Sequence, residues 1–308
     1  MMPNRIERVM PVHRSMIMDK LRRHPSQVSE ITFTNIYAWN VATPVWFIVV
    51  DDALTFLVHP RGGTDHFCVL GPPVGPWPGA QRVADAVPGL EGWFRADGAA
   101  AARLRAEGLD VVPDVANSDY VYRVYDLAEL PGASYHAKRN LIRQCLDSYR
   151  CSYEPITISN LDECVNLQER WCLARGCGRD QALCHENAAV HESLAHFVEF
   201  ELTGGLIRVD GVVQAFALAE QLAPGVAVWH FEKALPEIRG LGQLITHWFA
   251  REALGGYEFV NREQDLGLPG LHQAKRSWNP HHMVDKFSAC YGGMVMPEQP
   301  APCLVDEV

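Results

Sequence analysis

From Gly205 to Lys233 the chain carries three consecutive β-rich runs, and no other feature of the sequence limits the fold as much as these runs and the loop and helix after them. The runs are 205–209 (GLIRV), 212–221 (VVQAFALAEQ) and 226–233 (VAVWHFEK). Asp210-Gly211 joins the first two and is a strong hairpin signal, because such a pair tolerates the positive φ angles of a tight turn. The third run leads into a glycine-bearing loop, PEIRGLGQ, and then a helix predicted at 243–254 with Leu244, Trp248 and Ala250 on its inner side. Next come a strand at 257–261, a helix at 267–276 and a strand at 282–290. Upstream lie a strand at 151–158 and helices at 160–174 and 185–201.

That order is strand, two helices, three antiparallel strands, glycine loop, helix, strand, helix, strand. It is the order of the GNAT (N-acyltransferase) fold, an analogy that does not by itself fix function. The N-terminal half reads as a second α/β lobe. Helices are predicted at 11–24, 80–94 and 99–107. Strands are predicted at Val45–Val50 and Ala53–Val58, joined by a hairpin at Asp51-Asp52, and at Phe67–Leu70 and Val121–Asp126. GPPVGPWPG reads as a rigid loop. Residues 135–149 form a predicted helix with Leu141, Cys145 and Tyr149 on one face. The expected organisation is a lobe at 1–132, a linking helix at 133–150, a lobe at 151–293 and a disordered, proline-rich tail at 294–308.

Composition removes several function classes. With 308 residues, the chain has room for about two domains. A net charge of −10 argues against a global electrostatic grip on DNA, so a polyanion would need a local basic patch. Lys138, Arg139 and Arg143 at the start of the 135–149 helix are the candidate patch, the alternative being an ordinary charged helix start. The longest apolar stretch, Val41 to Val50, is about half the roughly 20 residues a bilayer span needs. The N-terminal segment has no apolar signal-peptide core. The expectation is a cytoplasmic protein whose nine cysteines are reduced.

Two stretches carry candidate chemistry. A strand running into a glycine loop and a helix offers free backbone N–H groups that attract phosphate. GNAT enzymes hold the coenzyme A pyrophosphate there with a Gln/Arg-x-x-Gly-x-Gly/Ala loop; Gly240 and Gly242 fit its glycines. Glu237 departs from its first position and would repel phosphate, with Arg239 placed to compensate. The second stretch, NREQDLGLPGLHQAKRSWNP, gathers Arg262, Glu263, Asp265, Lys275 and Arg276 around a strand end, which often marks a site in an α/β lobe. A solvated, salt-bridged surface is the alternative. A metal is not expected. His191 and His196 stand five apart, which turns them roughly 140° from each other on a helix. Cys172, Cys177 and Cys184 lack the CxxC spacing of a zinc site.

The runs YHAKRN (135–140), FEKA (231–234), RG (239–240), NREQDLG (261–267) and GLHQAKRSWNP (270–280) resemble the phosphatidylglycerol lysyltransferase C-terminal-domain family. SEITFTNIYAW (29–39), GPPVG (71–75) and DYVYRVYDLAELPG (119–132) resemble its N-terminal part, so the likeness spans about residues 15 to 290. His272, where family members often have Arg, is a small departure. The resemblance implies tandem GNAT-like lobes, each a mixed twisted sheet flanked by helices. It implies kinship with Fem-type transferases that move an aminoacyl group from aminoacyl-tRNA to a lipid or peptide. The lysyltransferases carry a multi-helix membrane segment ahead of this domain, and the expectation here is a protein without one and with an acceptor other than phosphatidylglycerol.

Such a reaction starts from an activated ester and needs positioning, a proton acceptor and oxyanion stabilisation. Lys275 suits the oxyanion or a terminal phosphate, and Glu232 or Asp265 the base. Arg239, Gly240, Gly242, Asn261, Arg262, Lys138, Arg139 and Asn140 are the candidate donor-binding residues. The expected co-substrate is aminoacyl-tRNA, with no tightly bound cofactor. The alternatives are an acyl-CoA-dependent N-acyltransferase and a catalytically degenerate GNAT pair that binds a ligand or partner.

Overall fold

A computed structural model describes residues 5–61, 65–292 and 295–297. The first half runs β1 (Glu7–Arg8), α1 (Arg14–Arg23), α2 (Phe33–Ala38), β2 (Val45–Val50), β3 (Ala53–Val58), β4 (Phe67–Val74), α3 (Ala80–Ala86), β5 (Leu90–Ala96), α4 (Gly98–Ala106) and β6 (Leu109–Pro113). Then come β7 (Asp119–Arg123), α5 (Val124–Glu129), α6 (His136–Ser148), β8 (Cys151–Pro155), α7 (Leu161–Arg175) and α8 (Gln181–Ala195). The chain closes with β9 (Thr203–Val209), β10 (Val212–Ala223), β11 (Val226–Ala234), α9 (Leu241–Ala253), β12 (Phe259–Asn261), α10 (Pro269–Arg276), β13 (His282–Val284) and β14 (Phe287–Tyr291).

These strands form two seven-stranded sheets with one shared logic. The first has the order β1-β2-β3-β4-β5-β14-β6 and the second β8-β9-β10-β11-β12-β7-β13. In each, four strands run antiparallel, the fifth pairs parallel with the fourth, and the sixth is antiparallel to the fifth. The sixth strand is drawn from the other half of the sequence in both cases. The compact units are therefore discontinuous: the first takes residues up to Asp119, Gln264–Leu268 and the chain from Met283, the second Tyr120–Glu263 and Pro269–His282.

This corrects the contiguous division expected from sequence. β7 lies before residue 132 yet belongs to the second sheet, and β14 lies after 151 yet belongs to the first. A strand's partner is set by long-range register, which local pattern does not carry. Apart from 295–297, the tail expected to be disordered lies outside the described residues.

Local signals explain most elements. Asp51 and Asp52 have φ of 47° and 65°, and Asp210 and Gly211 of 51° and 87°, as two-residue hairpins require. α9 buries Leu241, Leu244, Ile245 and Phe249 along one stripe; Phe249, rather than the half-buried Trp248, is its inner aromatic. The predicted helix 80–94 ends at Ala86 instead. Pro88 cannot supply a helical N–H and Gly89 turns with φ of 71°, which frees Leu90–Ala96 to form β5. The predicted 282–290 strand is two strands, β13 and β14. β4 continues through Gly71-Pro72-Pro73 to Val74, so part of the expected loop is strand.

The first unit packs Ile48, Leu57, Val69, Val83, Trp93, Leu104 and Ala289 into one core. The second buries Leu206, Phe216, Leu218, Val228, Leu244, Phe249 and Val260 completely. One chemical expectation fails. Cys172 and Cys177 form a disulfide, their Cα atoms 5.2 Å apart. Gly176, with φ of 71°, turns the chain back at the end of α7 and brings Cys177 beside the last helical turn.

Candidate active site

The parallel pairing of β11 and β12 is short. It runs from Val226↔Phe259 to Val228↔Asn261 and stops, while β11 continues to Ala234. Beyond Val228 the second sheet is therefore splayed between its fourth and fifth strands. At the same level β11 is bulged against β10: Ala219 faces Trp229 and Leu218 faces Phe231, leaving His230 as the extra residue. The bulge resets the alternation, so that Trp229 and Glu232 both face α9. The Trp229 ring meets Phe249 edge-on at 4.7 Å, and the Thr246 hydroxyl donates to Glu232 Oε2 at 3.0 Å and lies 2.9 Å from the Gly242 carbonyl.

Arg262, the residue after β12, enters this splay. Its guanidinium donates to Glu232 Oε2 at 2.9 Å. It lies 4.5 Å from the Trp229 ring centre, 5.7 Å from Tyr122 and 5.9 Å from Trp278. Planar, weakly hydrated Arg suits such an aromatic cage. Lys138 of α6 also reaches Trp278, 4.5 Å from its centre, and donates to Ser277 Oγ at 2.6 Å. Burial, and next the positive charge of Arg262, push the Lys138 ammonium below its usual range, with Glu232 opposing. Arg262 thus pairs with the carboxylate, and Lys138 adds a second cation within reach of its charge, both beside aromatic rings. The excess is one positive charge, and an anionic group entering the cage would neutralise it.

The walls are fixed from behind. The Tyr122 phenol donates to the Lys275 carbonyl at 2.8 Å, and the Tyr135 phenol to the Trp278 carbonyl at 2.9 Å. Lys275 itself donates to the carbonyls of Arg262 and, at 3.2 Å, of Glu263. Lys275, the candidate for the oxyanion or a terminal phosphate, thus clamps the backbone beneath Arg262.

The remaining sequence candidates divide in the same way. Asn261 is fully buried, and its side-chain oxygen accepts from the Glu263 N–H at 2.8 Å, closing the turn after β12. Gly240 starts α9 with φ of 85°, and a Cβ there would collide with the Leu141 carbonyl and touch Cys145 Cβ at 3.3 Å. Its glycine is required by close packing on α6. A Cβ on Gly242 would meet open space. Arg239 and Glu237 are exposed. Arg139 ties α6 to the loop after α5 through the carbonyls of Leu130 and Gly132, and Asn140 contacts His136 Nδ1 at 3.3 Å. Of the supposed basic patch, Lys138 turns into the cage and Arg139 is held locally, which leaves exposed Arg143. Asp265 falls in the first unit, where its carboxylate accepts from the Gly267 N–H at 2.9 Å.

Sequence reading missed Trp229, Trp278, Tyr122 and Thr246. The alternation in YVYR (120–123) puts Tyr120 and Tyr122 on one face and was a usable signal for Tyr122. For the bulge-dependent pair Trp229 and Glu232 no such signal exists. His191 pairs with Glu169 at 2.7 Å and His196 with Glu199 at 2.6 Å. Among the described residues no group of three or more His, Cys, Asp or Glu could hold a metal ion, and no helix is long and apolar enough to cross a membrane.

Two mixed sheets of this order, each splayed between its fourth and fifth strands, define a tandem GNAT-like protein. The sequence matches the family described as phosphatidylglycerol lysyltransferase, C-terminal, over residues 21–290, and the chain belongs to that family. No curated protein matches the sequence. Among solved structures, a conserved protein of unknown function from Bacteroides thetaiotaomicron is 28% identical with a TM-score of 0.85, covering 94% of this chain and 100% of its own. L-PGS from Bacillus licheniformis superposes with a TM-score of 0.64 at 12% identity over 94% of each chain. FemX gives 0.58 at 10% identity, over 92% of this chain and 96% of its own. The last two likenesses speak for the fold alone.

Proposed function

We propose that the second unit is an aminoacyltransferase site that takes an aminoacyl group from aminoacyl-tRNA and passes it to an amine or hydroxyl of a lipid, peptide or small molecule. The observation that carries this reading is the net-positive aromatic cage of Arg262, Lys138, Trp229 and Trp278 at the splay, with the Glu232 carboxylate inside it. The acceptor's nucleophile attacks the ester carbonyl, and the bond from that carbon to the ribose oxygen breaks. Glu232 accepts the nucleophile's proton and the departing ribose oxygen regains one. Arg262 and Lys138 stabilise negative charge on the tetrahedral oxyanion or a neighbouring phosphate. Asp265, expected as an alternative base, caps a turn and has no part in this scheme.

An acyl-CoA donor is the second reading. α9 opens at Gly240 without a side-chain cap, which leaves its N-terminus suited to phosphate. Exposed Glu237 in the preceding loop weighs against it. The test offers the purified full chain a pool of tRNA charged with labelled amino acids, and separately labelled acetyl-CoA, with lipid vesicles, peptides and simple amines as acceptors. Label moving from tRNA, and lost in Arg262→Ala, is the expected result. Movement from acetyl-CoA alone would replace this reading with the second, and neither would leave a binding protein.

A further inference from the structure

Where backbone pairing between β11 and β12 ends, two side-chain ion pairs bridge the strands. On the α9 side Arg262 reaches Glu232 at 2.9 Å. On the opposite side His230, the bulged residue, reaches Glu263 through Nδ1 at 2.9 Å and Glu220 of β10 through Nε2 at 2.9 Å. The His230 side chain is 0% exposed, that of Glu220 6% and that of Glu263 18%. Arg262 and Glu263 are neighbours in a tight turn. Glu263 has φ of 59°, its N–H is bound by Asn261 and its carbonyl by Lys275. Tyr120 also holds this turn, accepting from the Arg262 N–H at 2.9 Å and donating to the Glu263 carbonyl at 3.1 Å, and the Glu263 side chain is a further tie on the turn from which the Arg262 side chain leaves.

We infer that His230, held as an imidazolium between Glu220 and Glu263, is a positioning residue that sets the post-β12 turn and through it aims Arg262 at the cage. Ionised carboxylates only accept hydrogen bonds, so both ring nitrogens must donate, and a doubly protonated ring is the form that satisfies both partners. Loss of that proton would leave two buried carboxylates facing one neutral ring, and the turn would shift away from one of them. Burial alone would push the His230 pKa down, but the hydrogen bonds and charges of Glu220 and Glu263 raise it to about 9. Tyr257, beside Glu220, and Lys275, on the Glu263 carbonyl, also face this cluster.

The sign follows from the raised pKa. The contribution of the ionised ring is complete below its ordinary value near 6.5 and is lost as pH rises through about 9. The functional consequence rests on the transferase reading, so the experiment also reads the geometry without activity. The full chain is labelled with ¹⁵N-histidine and ¹⁵N-tryptophan and titrated from pH 7 to 10.5, with Trp229→Phe to assign the indole that lies under Arg262. Both His230 ring nitrogens should be protonated at pH 7.5, and the Trp229 indole should shift with the His230 midpoint. In Glu220→Gln/His230→Gln the charge balance is kept and the titrating ring is gone, so the Trp229 shift should vanish while circular dichroism shows a folded chain.

In a transfer assay kcat/KM should fall above the His230 midpoint in wild type, and the double variant should lack that limb, any fall that remains at higher pH belonging to Lys138. A neutral His230 at pH 7.5, or a Trp229 indole that ignores the midpoint, overturns the inference. So does a limb in the double variant with the same midpoint as the wild-type His230 titration. Should the double variant fail to fold, the wild-type titration decides alone. Wild type that transfers nothing, while Trp229 still follows His230, would defeat the function and leave the positioning role standing.

Discussion

The β4–α3–β5 segment of the first unit and the β11–α9–β12 segment of the second have the same topology and opposite chemistry. In both, a parallel pair comes apart partway, a glycine with φ of 83° (Gly79) or 85° (Gly240) starts the helix, and a charged residue with φ of 59° (Arg95 or Glu263) follows or ends the fifth strand. In the first unit the helix N-terminus is already occupied: Glu107 accepts from the Ala80 N–H and, at 2.6 Å, from the Trp77 indole. α9 has no side-chain cap. Arg95 is tied to Glu30 at 2.5 Å and lies 3.9 Å from Asp114, while Lys286 holds Glu30 at 2.5 Å and Asp119 at 2.6 Å. Three carboxylates there outnumber two cations, whereas in the cage two cations outnumber one carboxylate. At this position one unit closes its charges on each other, and the other keeps a second cation, Lys138, beside its Arg262–Glu232 pair.

The comparison can be broken most forcefully at Lys286. Lys286→Met removes a fully buried cation from Glu30 and Asp119 and should cost about 3–5 kcal/mol in urea unfolding; a loss under about 1 kcal/mol would refute a self-holding first unit. The same network predicts an acid limb. Burial would raise the Glu30 pKa, but Lys286 and Arg95 lower it from 4.5 to about 2. Its contribution is present above pH 4.5 and disappears as pH falls toward 2, and Glu30→Gln should flatten that part of an acid-unfolding curve.

Next in size, Arg262→Ala should lower kcat/KM about 10²-fold, equivalent to about 2.7 kcal/mol, as expected for one oxyanion donor. Arg95→Ala should reduce the folded fraction and leave the rate per folded molecule intact; equal catalytic losses from both would erase the distinction. Gly240→Ala combines a positive φ with a collision against Leu141 and should cost about 2–3 kcal/mol, against about 1 kcal/mol for Gly79→Ala, whose nearest neighbour is 3.8 Å from a Cβ. Matching melting shifts would contradict the close packing of α9 on α6. Smallest is Lys275→Ala, at about 1 kcal/mol for its carbonyl contacts. A clear fall in rate with stability intact would return Lys275 to the chemistry.

Much of this architecture is legible in the sequence because it is written locally. Asp51-Asp52 and Asp210-Gly211 admit one kind of turn, period-two runs give β2, β3 and β9 to β11, and the 3.6-residue stripe gives α9. The joined runs around 135–140, 231–234 and 261–280 point to the family that the whole-chain match identifies. Glu232, Arg262 and Lys138 stood among the candidates because clustered charge at strand and helix ends is visible in one dimension.

What the tertiary structure alone decided has one physical cause, contact between residues far apart in the chain. Strand partnership over long separations sends β7 and β14 to each other's halves. The bulge at His230 depends on β10 register, and it turns Glu232 to the same side as Trp229. Lys275 and Arg139, candidates for the oxyanion and the donor in the sequence, meet backbone carbonyls in the fold. A side chain's charge belongs to the sequence, but whether that charge is used up or left for a ligand depends on which neighbours folding places around it.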